Sequence, residues 1–300
     1  MQTFDPDSTP VSTRLFGLDE ARYFIGGYAN STFPTGKSFK DFVLDPQLDN
    51  VILTEGETDY ASIRDEMLRN AERNIFLSVS SYRRGVDLLS AGSASWAHVT
   101  FYYASYYAAS AFMGIFGGVV EADKRVIAVT VGKPGSQKLV SYKWVDHPYR
   151  GRSHRAFWNA FYALTAPLKS RFPVTGRHPL EPFNSQETWQ TDRRNAINYD
   201  SRRALDLTLA FESSFNPTNF PGSVPGDLGI QVDLTRSMIE LTLNAAKSLA
   251  LSTNFAQGLQ SGHTLLEVLS AYVENPTVHF PFSRALFAPV TGARPTLRLA

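Results

Sequence analysis

The sequence predicts an all-α fold: a helical bundle with one β-hairpin insertion and a helical extension at its C-terminal end. Three patterns indicate this class. Apolar residues recur at helical spacing from about residue 60 to residue 90, and a charge-free, aromatic-rich segment follows them directly. Two β-branched runs joined by Pro134-Gly135 supply the strand signal.

The composition describes a globular chain of one large domain or two modest ones. Hydrophobic residues make up 43% of the 300 positions, enough for a full core. A net charge of +1 excludes a global attraction to nucleic acid or anionic lipid, so any basic surface must be local. The absence of cysteine excludes disulfides, thiolate metal sites and cysteine nucleophiles. Together with a polar N-terminus that lacks a signal pattern, it favours a cytoplasmic location.

Shifts in composition divide the chain into three parts. Residues 1–55, rich in Asp, Pro, Ser, Gly and Phe, are predicted to form an N-terminal arm of irregular structure. Residues 56–216 form the predicted helical core, with the hairpin at 125–145. The run "NPTNFPGSVPGDLG" then marks a break, and residues 230–300 form the predicted helical extension and tail.

The first long helix begins in "TEGETDYASIRDEML", where Thr54 and Glu57 have capping-box spacing and Thr58 is an alternative cap. Its apolar residues follow at steps of four and three: Ile63, Met67, Ala71, Ile75, Val79, Tyr82, Val86 and Leu89. A helix of about thirty residues is long for a globular domain, which implies a bundle partner of similar length.

The partner is "WAHVTFYYASYYAASAFMGIFGG", residues 96–118, in a stretch from Leu88 to Val120 without Asp, Glu, Lys or Arg. Its length would suit a membrane span. Its content favours the buried centre of a bundle, because it holds four tyrosines and His98 but no leucine. Each of these polar groups needs a partner in a dry environment. We therefore expect no association with a membrane.

The remaining elements are the hairpin and four helices. "KRVIAVTVG" and "QKLVSYKWV" form the two strands of the hairpin. A third helix begins at Ser153, a fourth runs from about Thr188 to Phe215, and two more are predicted at about 231–256 and 262–274.

The fourth helix carries the most informative polar residues. One of its seams, at steps of four and three, consists of Arg193, Ile197, Asp200, Ala204, Leu207 and Phe211. Charged groups are rarely buried without a partner. The two charges therefore indicate an ion pair at the bundle edge, a seam that turns into solvent, or a polar site at the mouth of the bundle. Arg194, Asn198 and Arg202 lie on an adjacent face, near enough to join such a site.

A second basic cluster, "HPYRGRSHRAF", precedes and begins the third helix. It contains His147, Arg150, Arg152, His154 and Arg155. A helix N-terminus flanked by Arg and His is a natural phosphate site, and a solvated loop is the alternative. The sequence contains no phosphate-binding glycine loop, dinucleotide fingerprint, metal-ligand spacing or serine-nucleophile elbow, so no cofactor or metal is expected.

Three segments together have the pattern of a known family. "YYASYYAASAFM" resembles a Tyr-Tyr-Ala-x-Phe-His-Ala-Ala-Arg-Ala-Leu helix, "SHRAFWNAF" stands where that family has Ser-His-Lys, and "RNAINYDS" is similar to its Arg-x-x-Ala-Asp-Tyr-Asp stretch. Over residues 60–215 the chain thus resembles the HEPN superfamily, the nucleotide-binding domains of higher eukaryotes and prokaryotes. The match places Arg194, Asn198, Tyr199 and Asp200 at motif positions.

The resemblance implies a helical bundle that commonly dimerises, found in toxin–antitoxin, abortive-infection and CRISPR-linked systems. Many members are metal-independent RNases with a motif of Arg, a polar residue, and a His four to six residues later. There the His moves a proton between the 2′-hydroxyl and the leaving oxygen, and the Arg holds the developing charge of the phosphate. Here Arg194 and Asn195 begin the motif, Tyr199 stands where the His would be, and His154 is a second candidate proton carrier.

Two functions follow from the resemblance. One is an RNA-directed effector of a prokaryotic defence or toxin system, which cleaves or binds RNA as a homodimer with one shared cleft or with a partner protein. The other is a non-catalytic HEPN-like scaffold for a protein partner or a nucleotide, which the tyrosine at the His position favours. The candidate catalytic residues are Arg194, Tyr199 and His154. The candidate phosphate- and RNA-binding residues are Arg193, Asn195, Asn198, Arg150, Arg152, Arg155 and Tyr103.

Overall fold

The structure is a computed structural model, and the residues that it describes are mostly helical. It describes residues 2–3, 14–28, 51–120, 125–129, 135–143, 153–174, 177–214, 224 and 226–249. The seven helices of these residues are α1 (Leu18–Gly26), α2 (Thr58–Ser90), α3 (Ala94–Ile115), α4 (Ser153–Thr165), α5 (Trp189–Tyr199), α6 (Ser201–Ser214) and α7 (Gly226–Ser248). A 3₁₀ helix, Ala166–Arg171, continues α4.

Helix α3 is the centre of the fold and packs against both α2 and α7. Helix α2 contacts it through the apolar stripe predicted from the sequence, whose members are all buried except the half-buried Val86. On the α7 side, Oγ1 of Thr235 donates to the carbonyl oxygen of Phe101 at 3.0 Å, and Oγ1 of Thr242 donates to that of Ala108 at 3.1 Å. The equal spacing of these two bonds shows that α7 runs parallel to α3.

The lack of charge in α3 is explained by its burial within the protein. Phe101, Ala104, Ala108 and Phe112 are fully buried, and so is the polar His98. None of the helices that the structure describes combines the length and the apolar content that a bilayer-crossing segment needs.

Helices α2 and α3 approach each other closely at Gly85. A Cβ built on this glycine would lie 2.7 Å from Cε1 of Phe101, so the phenylalanine ring occupies the space of a side chain. The same ring packs on Tyr82, with the ring centroids 5.4 Å apart. At a second level, a Cβ on Gly114 would lie 3.1 Å from Cβ of Ala71. The close contact between α2 and α3 therefore depends on glycine at both positions, Gly85 and Gly114.

The predicted hairpin is confirmed, and it is part of a larger sheet. The five strands are β1 (Gln2–Thr3), β2 (Val51–Thr54), β3 (Val119–Val120), β4 (Arg125–Val129) and β5 (Lys138–Lys143). They form an antiparallel sheet in the order β1-β2-β5-β4-β3. A lone hairpin is marginal in water, and its pairing with β2 and β3 supplies the additional packing that it needs.

The described residues of the N-terminal segment form regular elements, where the sequence analysis expected irregular structure. The segment contributes α1, β1 and β2. The rings of Phe16 and Phe24 are buried with their centroids 5.0 Å apart, and the N–H of Phe16 donates to the carbonyl oxygen of Phe116 at 2.9 Å. Glu20 accepts a hydrogen bond from the N–H of Gly17 at 2.8 Å and thereby caps α1. The free energy gained by burying these aromatic rings is larger than the preference of the neighbouring Asp, Pro, Ser and Gly residues for turns.

The predicted fourth helix is wrong as a single element, because the chain breaks at Asp200 into α5 and α6. The backbone of Asp200 is extended, and Oδ1 accepts hydrogen bonds from the N–H groups of Arg202 at 3.1 Å and Arg203 at 3.4 Å. An aspartate in this position satisfies the free N–H groups of a helix start. Asp200 is therefore an exposed cap and not a buried charge of the predicted seam.

Helix α7 lies in the same core as α2 and α3, although the sequence places it in a C-terminal extension. Leu228, Val232 and Ile239 are fully buried in that core. The predicted helix at 262–274 lies outside the described residues.

Replacing Gly85 with Ala is expected to destabilise the protein, because the new methyl group would overlap the ring of Phe101. Overpacking of this kind costs about 1–3 kcal/mol, which exceeds the ~1 kcal/mol that alanine gains over glycine within a helix. Urea denaturation measures the change in the free energy of unfolding. Gly26→Ala is the matched control, because nothing lies within 4 Å of its Cβ. Equal effects of the two substitutions would contradict the close contact between α2 and α3.

Candidate functional site

Arg194 is the centre of a polar cluster between α3, α4 and α5. It is only 7% exposed. Its Cζ lies 5.0 Å from the ring centroid of Tyr102 and 5.6 Å from that of Tyr103. The guanidinium is therefore held against two aromatic faces, and a contact of this type contributes about 0.5–2 kcal/mol.

No carboxylate of the described residues balances the charge of Arg194. Among the described residues no Asp or Glu forms an ion pair with it, and its Nε is buried there without a hydrogen-bond partner. Leaving a buried cation unpaired is strongly destabilising. A negatively charged ligand at this point would remove that penalty, so the arrangement indicates an anion-binding group.

The hydroxyl of Tyr102 connects the three helices of the cluster. Nε1 of Trp158 on α4 donates to it at 3.3 Å, and the guanidinium of Arg194 on α5 lies over the ring of the same tyrosine. Nδ1 of His154 lies 3.0 Å from the hydroxyl and Oγ1 of Thr191 lies 3.2 Å from it. In the tautomer with the hydrogen on Nδ1, this nitrogen donates to the hydroxyl, whose own proton is then available to Thr191. Burial raises the pKa of Tyr102, so the phenol keeps this proton at neutral pH.

His154 lies at the start of α4, beside the cluster. Its ring centroid is 5.0 Å from that of Tyr106 and 6.0 Å from that of Tyr103. Burial, followed by the charge of Arg194, lowers the pKa of His154 from 6.5 to about 4. The imidazole is therefore neutral at neutral pH, and no described residue hydrogen-bonds to its Nε2. In the tautomer that carries its hydrogen on Nδ1, Nε2 can accept a proton.

Arg155 joins the start of α4 to α5. Its Nε and Nη2 donate to Oδ1 of Asp192 at 2.9 and 2.5 Å, while Oδ2 of Asp192 accepts a hydrogen bond from Thr188 at 2.8 Å. Arg155, which the sequence analysis proposed as a phosphate-binding residue, is thus paired with a carboxylate of its own chain. Because His154 precedes Arg155 and Arg194 follows Asp192 closely, this ion pair sets the separation of the imidazole and the guanidinium.

Arg193 and Asn195, the neighbours of Arg194, do not join the cluster. Nε of Arg193 lies 3.2 Å from Oδ2 of Asp227 at the start of α7. Asn195 is half-buried and forms none of the hydrogen bonds described above. Consecutive residues of a helix point about 100° apart, which explains why only one of the two arginines enters the cluster.

Two further candidates lie at the exposed end of α5. Tyr199, at the position of the motif His, is 80% exposed, and Asn198 beside it is also exposed. Neither contacts the Arg194 cluster. The candidates Arg150 and Arg152 lie outside the described residues. Of the predicted site residues, the structure therefore brings together Arg194, His154 and Tyr103.

A second set of polar side chains is buried between α3, α5 and α7. Nε2 of Gln231 donates to Oε1 of Gln190 at 2.9 Å. His98 is fully buried, and both its ring nitrogens lack a partner among the described residues. Burial, followed by the charge of Arg193, lowers the pKa of His98 to about 4. Gln190 lies one turn before Arg194 on α5. Its hydrogen bond with Gln231 therefore fixes α5, which carries Arg194, against α7.

The sequence reasoning missed Tyr102, Thr191 and Trp158. A signal existed for Thr191, because it precedes Arg194 by three positions and so shares its helix face. No local signal distinguished Tyr102 from the three other tyrosines of α3. Which of them meets Arg194 depends on the angle at which α5 crosses α3.

Comparison of the chain with family models, with curated proteins and with solved structures finds no match. The described residues contain no group of three or more His, Asp or Glu side chains that could hold a metal ion.

The low pKa of His154 links stability to pH. The unfolded state binds more protons than the folded state between about pH 4 and pH 6.5, so stability from His154 is complete above pH 6.5 and is lost as the pH falls toward 4. Glu72 acts in the opposite direction. Burial raises its pKa from 4.5 to about 8, so its contribution is complete below pH 4.5 and is lost as the pH rises toward 8.

The imidazole of His154 is expected to titrate with a midpoint near pH 4 in the folded protein. Arg194→Gln should raise that midpoint, because it removes one cause of the shift, whereas Arg193→Gln should raise the midpoint of His98 instead. NMR of the histidine ring protons measures both. A His154 midpoint near 6.5, or one that responds to Arg193→Gln alone, would show that the cluster is not assembled as described.

Proposed function

We propose that the chain is a HEPN-like, RNA-directed protein in which Arg194 binds a backbone phosphate and His154 acts on the adjacent 2′-hydroxyl. The main support is the nearly buried guanidinium of Arg194, which has no carboxylate partner among the described residues and lies near an imidazole that stays neutral. The resemblance of three segments to HEPN proteins, and the bundle of long helices, are consistent with this proposal.

The proposed reaction is metal-independent and uses one imidazole for two proton transfers. Nε2 of neutral His154 takes the proton of the 2′-hydroxyl, whose oxygen attacks the phosphorus and displaces the 5′-oxygen of the next nucleotide. The imidazolium then gives the proton to that leaving oxygen, and the remaining strand ends in a 2′,3′-cyclic phosphate. Arg194 stabilises the charge that develops on the phosphate oxygens.

Phosphate binding would also bring the pKa of His154 into a useful range. An imidazole with a pKa of about 4 is a weak base, and the charge of Arg194 is one cause of that low value. A bound phosphate offsets the charge of Arg194 and, as an anion, favours the imidazolium. The pKa therefore rises only when substrate is present, which is when the proton has to move.

Tyr102 and Tyr199 have different roles in this proposal. The hydroxyl of Tyr102 accepts a hydrogen bond from Nδ1–H of His154, which leaves Nε2 without a hydrogen and able to act as the base. Tyr199 takes no part in proton transfer, because its exposed side chain lies outside the cluster. An exposed aromatic ring of this kind can stack on an unpaired base of the RNA.

The test is incubation of the purified protein with total RNA in the presence of EDTA. Arg194→Ala should lower the rate of cleavage about 10²- to 10³-fold, and His154→Asn should lower it about 10²- to 10⁴-fold. Arg236→Ala is the matched control, because that arginine is already paired with Glu240 at 2.6 Å on α7. It should keep the activity of the unchanged protein.

Thermal unfolding of each variant distinguishes loss of activity from loss of fold. Cleavage that persists in folded Arg194→Ala would contradict the assignment, and so would an equal loss in Arg236→Ala. If the wild-type protein binds RNA without cleaving it, and Arg194→Ala abolishes that binding, the site binds RNA and does not catalyse its cleavage.

A scaffold for a protein partner is the second candidate, and an exposed apolar surface favours it. Leu205 and Leu209 on α6 are 56% and 54% exposed, and Trp96 at the start of α3 is 65% exposed. These two elements meet, because Oγ of Ser95 donates to the carbonyl oxygen of Ala204 at 3.0 Å. Grouped apolar side chains on a surface are typical of protein interfaces. A second copy of the chain is the partner that a HEPN-like dimer implies.

Leu205→Glu together with Leu209→Glu should convert a dimer into a monomer, since the interface would have to bury two carboxylates. Light scattering after size-exclusion chromatography measures the change in mass. Leu77→Glu, at another exposed leucine on α2, is the matched control. A monomeric unchanged protein would contradict self-association through this surface.

A further inference from the structure

A small cavity lies between α2, α3 and α4, and Tyr106, which contacts His154, is part of its lining. Its volume is about 190 Å³. Its lining includes Asn70 and Asn74 from α2, Tyr106 and Tyr107 from α3, and Phe157 from α4. None of the described residues that line it is charged, so the cavity suits a neutral polar group rather than an ion.

The two asparagines supply amide groups that the described residues leave without hydrogen bonds. They are four residues apart, so both side chains emerge from the same face of α2. Neither amide hydrogen-bonds to the described part of the chain, although both residues are half-buried. Each amide offers two donors and one acceptor oxygen, which matches a ligand with an adjacent donor and acceptor.

Three aromatic side chains also line the cavity. The rings of Tyr106 and Phe157 pack with their centroids 4.4 Å apart, and Tyr107 lies 5.9 Å from Tyr106. Aromatic side chains of this kind stack on unpaired bases. The cavity volume of about 190 Å³ is below the ~300 Å³ at which sites for drug-sized ligands begin, so it admits one small ring system.

Side chains of α3 connect the cavity to the Arg194 cluster. Tyr103 contacts Arg194 at 5.6 Å. Tyr106, one turn further along the helix, lines the cavity and contacts the ring of His154 at 5.0 Å. One turn is about 5 Å, a distance similar to the span of the sugar between a base and its phosphate. A nucleotide with its phosphate on Arg194 therefore reaches the cavity with its base.

We propose that the cavity binds the base of the nucleotide whose phosphate Arg194 holds, and that Asn70 and Asn74 recognise the edge of that base. The inference rests on the proposed function, because it uses the same phosphate site. Asparagine pairs in a bidentate manner with N6 and N7 of adenine, so adenine is the expected base.

The experiment compares AMP, adenosine and ribose 5-phosphate by NMR titration of the full chain. AMP should bind about tenfold more tightly than ribose 5-phosphate, which lacks the base. Asn70→Ala and Asn74→Ala should remove this advantage without changing the binding of ribose 5-phosphate. Arg194→Gln should weaken AMP and ribose 5-phosphate equally. Asn244→Ala, at an exposed asparagine of α7, is the matched control and should change neither.

The outcomes distinguish the base pocket from the phosphate site. Equal binding of AMP and ribose 5-phosphate that depends on Arg194 would overturn the base pocket and leave the phosphate site in place. AMP binding that depends on Asn74 but not on Arg194, and that is no tighter than the binding of adenosine, would support the base pocket and contradict the phosphate site. If an alanine variant fails to fold, Asn74→Asp replaces it, because this change keeps the shape of the side chain, removes its donors and should weaken AMP binding in the same direction.

Discussion

The burial of helix α3 is the constraint on which the rest of the structure depends. Its backbone is approached from one side by α2, where Gly85 and Gly114 remove the side chains that would keep the helices apart. From another side α7 lies parallel to it and donates threonine hydrogen bonds to its carbonyl groups. A helix enclosed in this way cannot carry unpaired charge without a large desolvation penalty, and its sequence carries none.

The same constraint determines where polar chemistry can occur. Because α3 has no charge, its tyrosines are the main polar groups that it presents to α4 and α5. Arg194 from α5 and His154 from α4 meet at Tyr102, and the ion pair of Arg155 with Asp192 holds those two helices together. The dry, aromatic surroundings keep the imidazole neutral and strengthen the attraction of the guanidinium for an anion. One environment thus supports both parts of the proposed site.

Sequence patterns predicted much of the fold and part of the site. The stripe of α2, the extent of α3 and the two strands of the hairpin depend on local periodicity, and the structure has them where expected. Elements whose formation depends on distant contacts were missed. Phe16 and Phe24 look like loop residues until they pack on the core, and Asp200 looks like a helical residue until its carboxylate caps α6.

The sequence by itself determined which faces of the long helices are buried and that arginine, histidine and tyrosine are concentrated in a few segments. This is possible because burial repeats with the period of the helix. Only the tertiary structure decided which of these residues meet. Arg193 and Arg194 are adjacent and chemically identical, yet one pairs with Asp227 and the other faces Tyr102. The difference follows from the angle between α5 and α3, and that angle depends on contacts between helices distant in the sequence.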